Sequence, residues 1–197
     1  VAFLLTGQGS QWAGMGRELR GTSTVFRQAV ATLVPFIVEE TGWSVLRQLE
    51  DPSLEERLSR IDVVQPTLFA MEVALAAWWE SCGVHADAVV GHSMGEVAAA
   101  WVAGILSLRD ATQVICRRSA LLMRVAGKGA MAVVELTREE AEDAITGEEG
   151  KISVAVCNSR RSTVLAGDPE ALDRIMNELE KRDVFCRWVR VDVASHS

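Results

Sequence analysis

The sequence predicts an α/β protein in two parts, a larger unit built on a parallel sheet and a smaller βαββαβ unit. Three observations carry this. Short apolar strands alternate with helices over residues 1–128, one strand runs straight into a glycine-flanked serine turn, and the rhythm changes after Gly127-Lys128-Gly129. Strands separated by helices imply a parallel sheet covered on both faces. At 197 residues, 49% hydrophobic and 24% charged, the chain can bury one substantial core and a small second one.

Residues 2–6 form a short apolar strand, followed by the glycine-rich turn Gly7-Gln8-Gly9-Ser10. A mostly helical stretch comes next, with breaks at Gly21, Pro35, Gly42 and Pro52. Gln65-Pro66 opens a helix, since proline suits a first turn, and Gly83 stops it. Residues 86–90 form a strand entering Gly91-His92-Ser93-Met94-Gly95, and 94–103 an alanine-rich helix ended by Gly104. Ser107 or Arg109 starts another helix that continues to about Ala126. In the second part, 131–136 is a strand, 137–145 a helix, 152–157 and 162–166 strands, 168–182 a helix and 185–191 a last strand. That order is the ferredoxin-like unit. The expected division is therefore a large unit over 1–128, a small one over 129–191, and a return of 192–197 to the large unit. The N-terminus, Val1-Ala2-Phe3-Leu4-Leu5, has no basic leader and reads as a core strand. A chain beginning on a core strand reads as an excerpt from a longer one, cut short at its C-terminus.

The net charge of −7 leaves no basic footprint for nucleic acid. No apolar run reaches membrane-spanning length on this reading, because the nearest, 68–79, is interrupted by Glu72. Cys82, Cys116, Cys157 and Cys186 are widely spaced, and with three histidines in the chain no zinc site is expected. The cysteines read as small buried hydrophobes in a reducing cytoplasm.

Strand, G-x-S-x-G, then helix is the nucleophile elbow of α/β-hydrolase-like sheets, with Ser93 at its tip. The amide of Met94 would then face an oxyanion, and the helix N-terminus would add a favourable field. The same residues also fit a capping box, Ser93-Met94-Gly95-Glu96, in which the serine only accepts from the Glu96 amide. Helical periodicity from Asp110 to Ala126 puts Ala111, Val114, Ile115, Leu122 and Val125 on one stripe with Arg118 in its middle, while Arg117 joins the polar side. A guanidinium facing a core needs acceptors: either Arg118 pairs with an internal carboxylate, or it lines a pocket for an anionic ligand. Of the histidines, His85 falls in a loop, His92 is locked beside Ser93 in a packing or supporting role, and His196 follows the last strand in Val193-Ala194-Ser195-His196-Ser197.

Taken together, these residues resemble the acyltransferase domain of modular type I polyketide synthases, and more distantly the malonyl-CoA:acyl-carrier-protein transacylases. Thr6-Gly7-Gln8-Gly9-Ser10-Gln11-Trp12 is similar to the family's opening motif, Gln65-Pro66 to its Gln-Pro helix start, and Gly91-His92-Ser93-Met94-Gly95-Glu96 to its GHSxGE elbow. Arg118 falls 25 residues after Ser93, where the family keeps its carboxylate-binding arginine, and residues 193–197 resemble the motif carrying the catalytic histidine. The resemblance implies Ser93 as nucleophile and His196 as base. It implies Gln8 and Met94 as oxyanion donors and Arg118 as the holder of the extender carboxylate. His92, Gln65 and Asn158 are candidates for supporting positions behind these groups. It further implies acyl-CoA as substrate, no tightly bound cofactor or metal, and as partners an acyl carrier protein bearing phosphopantetheine and the other domains of the same synthase.

Val193, Ser195 and Met94 bear on extender choice. Members choosing malonyl tend to carry His-Ala-Phe-His-Ser, and those choosing methylmalonyl Tyr-Ala-Ser-His-Ser. Ser195 leaves open the space an α-methyl group needs, which favours methylmalonyl, while Met94 stands where methylmalonyl types usually carry glutamine and forbids neither. The alternative function is a serine hydrolase or thioesterase of the GxSxG class, which would need an acid such as Asp192. A dinucleotide-binding module is disfavoured by Trp12 in the place of a third glycine, and a non-catalytic docking domain by the presence of Ser93, Arg118 and His196.

Overall fold

The computed structural model describes residues 1–189 and 193–196, and the chain divides into two compact units, Val1–Met123 and Arg124–Ser197. The division falls a few residues before the expected one, where a long helix gives way to the 3₁₀ turn Met123–Val125.

In the first unit, β1 (Ala2–Leu5) and β2 (Ala88–Gly91) pair in parallel, with Ala2 opposite Ala88 and Leu5 opposite Gly91. The helices are α1 (Arg17–Thr22), α2 (Thr24–Thr41), α3 (Val45–Glu50), α4 (Ile61–Ser81), α5 (Gly95–Val102) and α6 (Leu108–Leu122). α2 begins on a Ser23 side chain that accepts from the Phe26 amide and ends on Gly42 at φ 75°, a left-handed cap that glycine adopts without strain. α4 runs through the middle, packed against α2, α5 and α6, and its buried residues include Val64, Phe69, Ala70 and Ala74. By length and composition it could cross a membrane, although the sequence reading stopped the run at Glu72. In the structure 78% of its most apolar window is buried inside the protein, so its hydropathy is that of a core helix.

Two prolines expected to break or open helices lie inside them. α2 passes through Pro35, whose missing amide leaves the Ala31 carbonyl without a helical donor; both residues are exposed, so water can serve that carbonyl. α4 begins at Ile61, five residues before Pro66, with Arg60 at its N-cap and the Arg60 guanidinium forked onto Asp62 at 2.7 and 3.1 Å.

The second unit is an antiparallel sheet in the order β4-β5-β3-β6, built from β3 (Ala130–Val134), β4 (Ile152–Ser159), β5 (Ser162–Gly167) and β6 (Cys186–Trp188). With α7 (Arg138–Ala144) and α8 (Pro169–Glu180) this is the βαββαβ arrangement the sequence predicts. Thr137 and Glu140 form a reciprocal capping box at α7, and the Asp168 side chain accepts from the Ala171 amide at α8. Val134, Leu165, Ala171 and Leu172 lie at the centre of its core. The segment 192–197, expected to return to the large unit, is grouped with the second unit. Ala194 packs with Met131, Val164 and Ala166 of the second unit, and it fits there because Gly129 has no Cβ: one built on it would lie 2.6 Å from the Ala194 methyl. Val191, Asp192 and Ser197 lie outside the described residues, which takes in the end of the last expected strand and the acid considered for a hydrolase.

All four cysteines are unpaired, but only Cys116 is the small buried hydrophobe expected, its thiol pushed up to about 12 by burial. Cys82 and Cys157 are exposed and Cys186 is intermediate.

Candidate active site

The serine turn is built by exclusion of side chains. A Cβ on Gly91 would overlap the backbone of Gly95 and Glu96, and one on Gly95 would overlap the carbonyls of Leu5 and Thr6. Only glycine at both positions lets β2 turn into α5 while α5 rests on the end of β1. Ser93 sits at φ 53°, a left-handed conformation that costs a non-glycine residue on the order of 1–3 kcal/mol and that the surroundings must impose. The amides of Gly95, Glu96 and Val97 are spent on the carbonyls of His92 (3.0 Å), Ser93 (3.1 Å) and Met94 (3.1 Å), which tightens the turn. The N-cap of α5 is Met94, which provides no side-chain cap, and the Glu96 amide meets the Ser93 carbonyl oxygen. Ser93 is partly exposed, and Met94 is buried in the core of the first unit.

The second turn, Gly7 to Ser10, lies against the first. The His92 amide donates to the Leu5 carbonyl at 2.9 Å, and a Cβ on Gly7 would stand 2.7 Å from His92 Nδ1. His92 therefore packs on the Gly7 backbone. Within the turn, Ser10 Oγ donates to the Gly7 carbonyl (3.4 Å) and lies 3.2 Å from Thr6 Oγ1, and the Gly9 amide donates to Gln11 Oε1 (2.8 Å).

Arg118 meets this turn through one intermediary. Its Nη1 donates to Gln65 Oε1 at 2.6 Å, and Gln65 Nε2 donates to Gln8 Oε1 at 3.3 Å. Gln65 is buried in the first half of α4, so a neutral amide spans the distance between the guanidinium and the glutamine of the glycine-rich turn. The expected stripe on α6 is rotated by about a quarter turn in the structure. Val114 and Val125 are exposed, while Ala111, Thr112, Ile115, Cys116 and Ser119 form the buried face and Arg118 lies at its flank, partly buried. Thr112 and Ser119 can be buried because their hydroxyls donate to the helix's own carbonyls, of Leu108 (2.7 Å) and Cys116 (2.9 Å). Burial lowers the Arg118 pKa. Among the described residues no ion pair involves Arg118, whereas Arg117, on the exposed side, is forked onto Glu40 at 2.8 Å through each of two nitrogens. Of the two readings left open by the sequence, pairing with an internal carboxylate is thus unsupported.

Glu72 is the residue that sequence reasoning missed. It lies two helical turns beyond Gln65 on the same side of α4, is 7% exposed, and places Oε1 3.5 Å from the Thr6 hydroxyl. Its carboxyl pKa rises to about 7, chiefly by burial, with the amide and hydroxyl of Thr6 opposing the rise. A charged residue midway along an otherwise apolar helix, seven positions after a buried glutamine, was the available signal.

In the second unit, Val193 is buried, Ala194 and Ser195 are partly exposed, and His196 is exposed at φ 64°. Asn158 is exposed on β4. Among the described residues, no group of three or more His, Cys, Asp or Glu side chains could hold a metal ion.

Residues 2–197 match the family model described as acyl transferase domain. A mycocerosic acid synthase-like polyketide synthase of Mycobacterium tuberculosis is 49% identical over 196 residues, which is 99% of this chain and 9% of that protein. The acyltransferase domain from module 8 of the salinomycin polyketide synthase matches with a TM-score of 0.94 at 41% identity, over 100% of this chain and 46% of that one. A loading acyltransferase from the avermectin modular polyketide synthase matches with a TM-score of 0.92 at 42% identity, over 100% of this chain and 63% of that one. The chain thus spans less than a tenth of the length of the curated relative and about half to two thirds of the solved domains.

Proposed function

The chain belongs to the acyl transferase domain family and is an acyltransferase, and from that premise we propose that it loads a malonyl-type extender unit, methylmalonyl in preference, from CoA onto an acyl carrier protein. Ser93 Oγ attacks the thioester carbonyl as His196 takes its proton, and the amides of Met94 and Gln8 receive the developing oxyanion. CoA leaves as its thiol, protonated by His196. The acyl-serine is then attacked by the phosphopantetheine thiol of the carrier, His196 again moving the proton, and Ser93 is released. The elbow supports the first role: a strained, partly exposed serine between two glycines that cannot carry a side chain.

The observation that carries the substrate class is Arg118. A partly buried guanidinium, bonded to the neutral Gln65 and without an ion pair among the described residues, suits the free carboxylate of a malonyl unit, which its planar fork can bind through both oxygens. Gln65 acts as a positioning residue, fixing the guanidinium through a 2.6 Å hydrogen bond. His92 supports the Gly7 turn by packing, and Asn158 is assigned a supporting place on the second unit. The preference for methylmalonyl rests on Ser195, whose small side chain leaves room that a phenylalanine would fill, with Val193 and Met94 as further specificity positions. No tightly bound cofactor or metal enters these steps, and a cytoplasmic setting is part of the same proposal.

Intact-protein mass spectrometry after exposure to malonyl-, methylmalonyl- and acetyl-CoA tests the proposal. The expected result is a single covalent malonyl or methylmalonyl adduct, lost in Ser93→Ala and discharged by a carrier thiol. Adducts with acetyl-CoA alone, or an adduct that survives Ser93→Ala, would overturn it. Release to water as fast as to the carrier would instead indicate a hydrolase.

A further inference from the structure

We propose that Glu72 is a positioning residue for the oxyanion turn, acting through Thr6 to fix the direction of the Gly7–Gln8 backbone. The inference deepens the function proposed above and rests on its assignment of the Gln8 amide.

Thr6 is the junction between β1 and the glycine-rich turn, and three contacts converge on it. Glu72 Oε1 lies 3.5 Å from its hydroxyl, and the carboxyl feels both the amide and the hydroxyl of Thr6 as favourable dipoles. The same hydroxyl lies 3.2 Å from Ser10 Oγ, which donates to the Gly7 carbonyl. The Thr6 carbonyl fills the space left by the missing Cβ of Gly95 in the elbow. A residue that orients Thr6 therefore sets the relation between the two turns that carry the proposed oxyanion donors. From the same helix Gln65 restrains a residue two positions further on, through its bond to the Gln8 side chain. Gln8 is held at its side chain by Gln65, and Thr6, two residues before it, is held at its hydroxyl by Glu72, both from α4, the most deeply buried helix of its unit.

Retaining a carboxyl here has a cost that packing alone would not require. Among the described residues Glu72 Oε2 is buried without a hydrogen-bond partner, and a leucine would fill the same space without that penalty. A role in holding Thr6 accounts for an acceptor at this position. Glutamine also presents an acceptor oxygen, whereas alanine presents none.

Single-turnover acylation by the preferred acyl-CoA, measured in the full-length protein, separates a rate constant from an amplitude. The amplitude counts folded sites, and the rate constant reports the placement of the oxyanion donors. Glu72→Ala is expected to slow acylation on the order of 10- to 100-fold at unchanged amplitude and with KM within about twofold, as misplacement of a donor does. Glu72→Gln should restore the rate to within about threefold of the unsubstituted protein. Thr6→Val should show a similar loss, and the Glu72→Ala, Thr6→Val pair should be no slower than the slower single variant, because the two act along one path. A Glu72→Ala protein that loses amplitude alone, a Glu72→Gln protein as slow as Glu72→Ala, or a pair whose losses multiply would overturn the inference. Should Glu72→Ala not fold, Thr6→Val decides, a normal rate counting against. Failure of the unsubstituted protein to acylate at Ser93 would instead defeat the parent reading.

Discussion

Replacing Glu72 by glutamine should make the first unit more stable at alkaline pH and remove a slope from its stability. In the folded chain the carboxyl pKa rises from an ordinary 4.5 to about 7, because burial disfavours the charge more than Thr6 favours it. A carboxyl whose folded pKa is raised holds more protons folded than unfolded between those values, so stability is fully present below about pH 4.5 and is lost as pH climbs through about 7. A shift of this size corresponds to on the order of 3 kcal/mol across the window, at about 1.4 kcal/mol for each unit. Glutamine cannot ionise and keeps an acceptor for Thr6, so Glu72→Gln should match the unsubstituted chain near about pH 4.5 and exceed it by roughly 1–3 kcal/mol near about pH 8, the lower figure allowing for weaker dipole contacts to a neutral side chain. Urea denaturation followed by tryptophan fluorescence is the assay. Five of the six tryptophans, Trp12, Trp43, Trp78, Trp79 and Trp101, lie in the first unit, so the signal reports mainly on the part that contains Glu72. Parallel stability curves for the two proteins between about pH 5 and about pH 8 would refute the reasoning, since the carboxyl would then titrate at its ordinary value.

Arg118→Ala should raise acetyl loading relative to malonyl in a competition between the two CoA esters, with malonyl kcat/KM falling on the order of 100-fold as a charge-assisted pair is lost; undiminished malonyl loading would make Arg118 structural. Ser195→Phe should shift competition between malonyl- and methylmalonyl-CoA towards malonyl by about 10-fold or more, the scale of one methyl group, and an unchanged ratio would remove the steric account of extender choice. Gly95→Ala should lower urea stability by about 1–3 kcal/mol or more and abolish acylation, because the added methyl meets the Leu5 and Thr6 carbonyls; wild-type loading by that variant would show that the elbow can open without loss.

The elbow was legible in the sequence because glycine at 91 and 95 and a serine between them have few other uses after a strand, and the overlaps found at both glycines are the physical form of that pattern. The second unit was legible because its turns are punctuated by Thr137 and Asp168, side chains that cap the helices they precede. The face of α6 was not, because hydrophobicity counts hydroxyls as exposed, and Thr112 and Ser119 satisfy theirs on their own helix and go inside. The sequence puts Arg118 in the middle of an inward stripe, whereas it lies partly buried at the flank of the buried face, and Val114 and Val125 of that stripe are exposed. Pro35 and Pro66 misled because a helix interior tolerates the loss of one donor when packing holds the rest. In the sequence Glu72 is only an interruption of an apolar run, since its contact, Thr6, lies 66 residues away in the chain.

The positive φ of Ser93 limits how this chain can change. Glycine would relax the backbone there, and a Ser93→Gly change would remove the hydroxyl in the same step, so under the role proposed for Ser93 the substitution that most eases the turn also removes the nucleophile. Gains that offset the strained turn must accumulate at sites remote from it, so long as selection holds the serine in place.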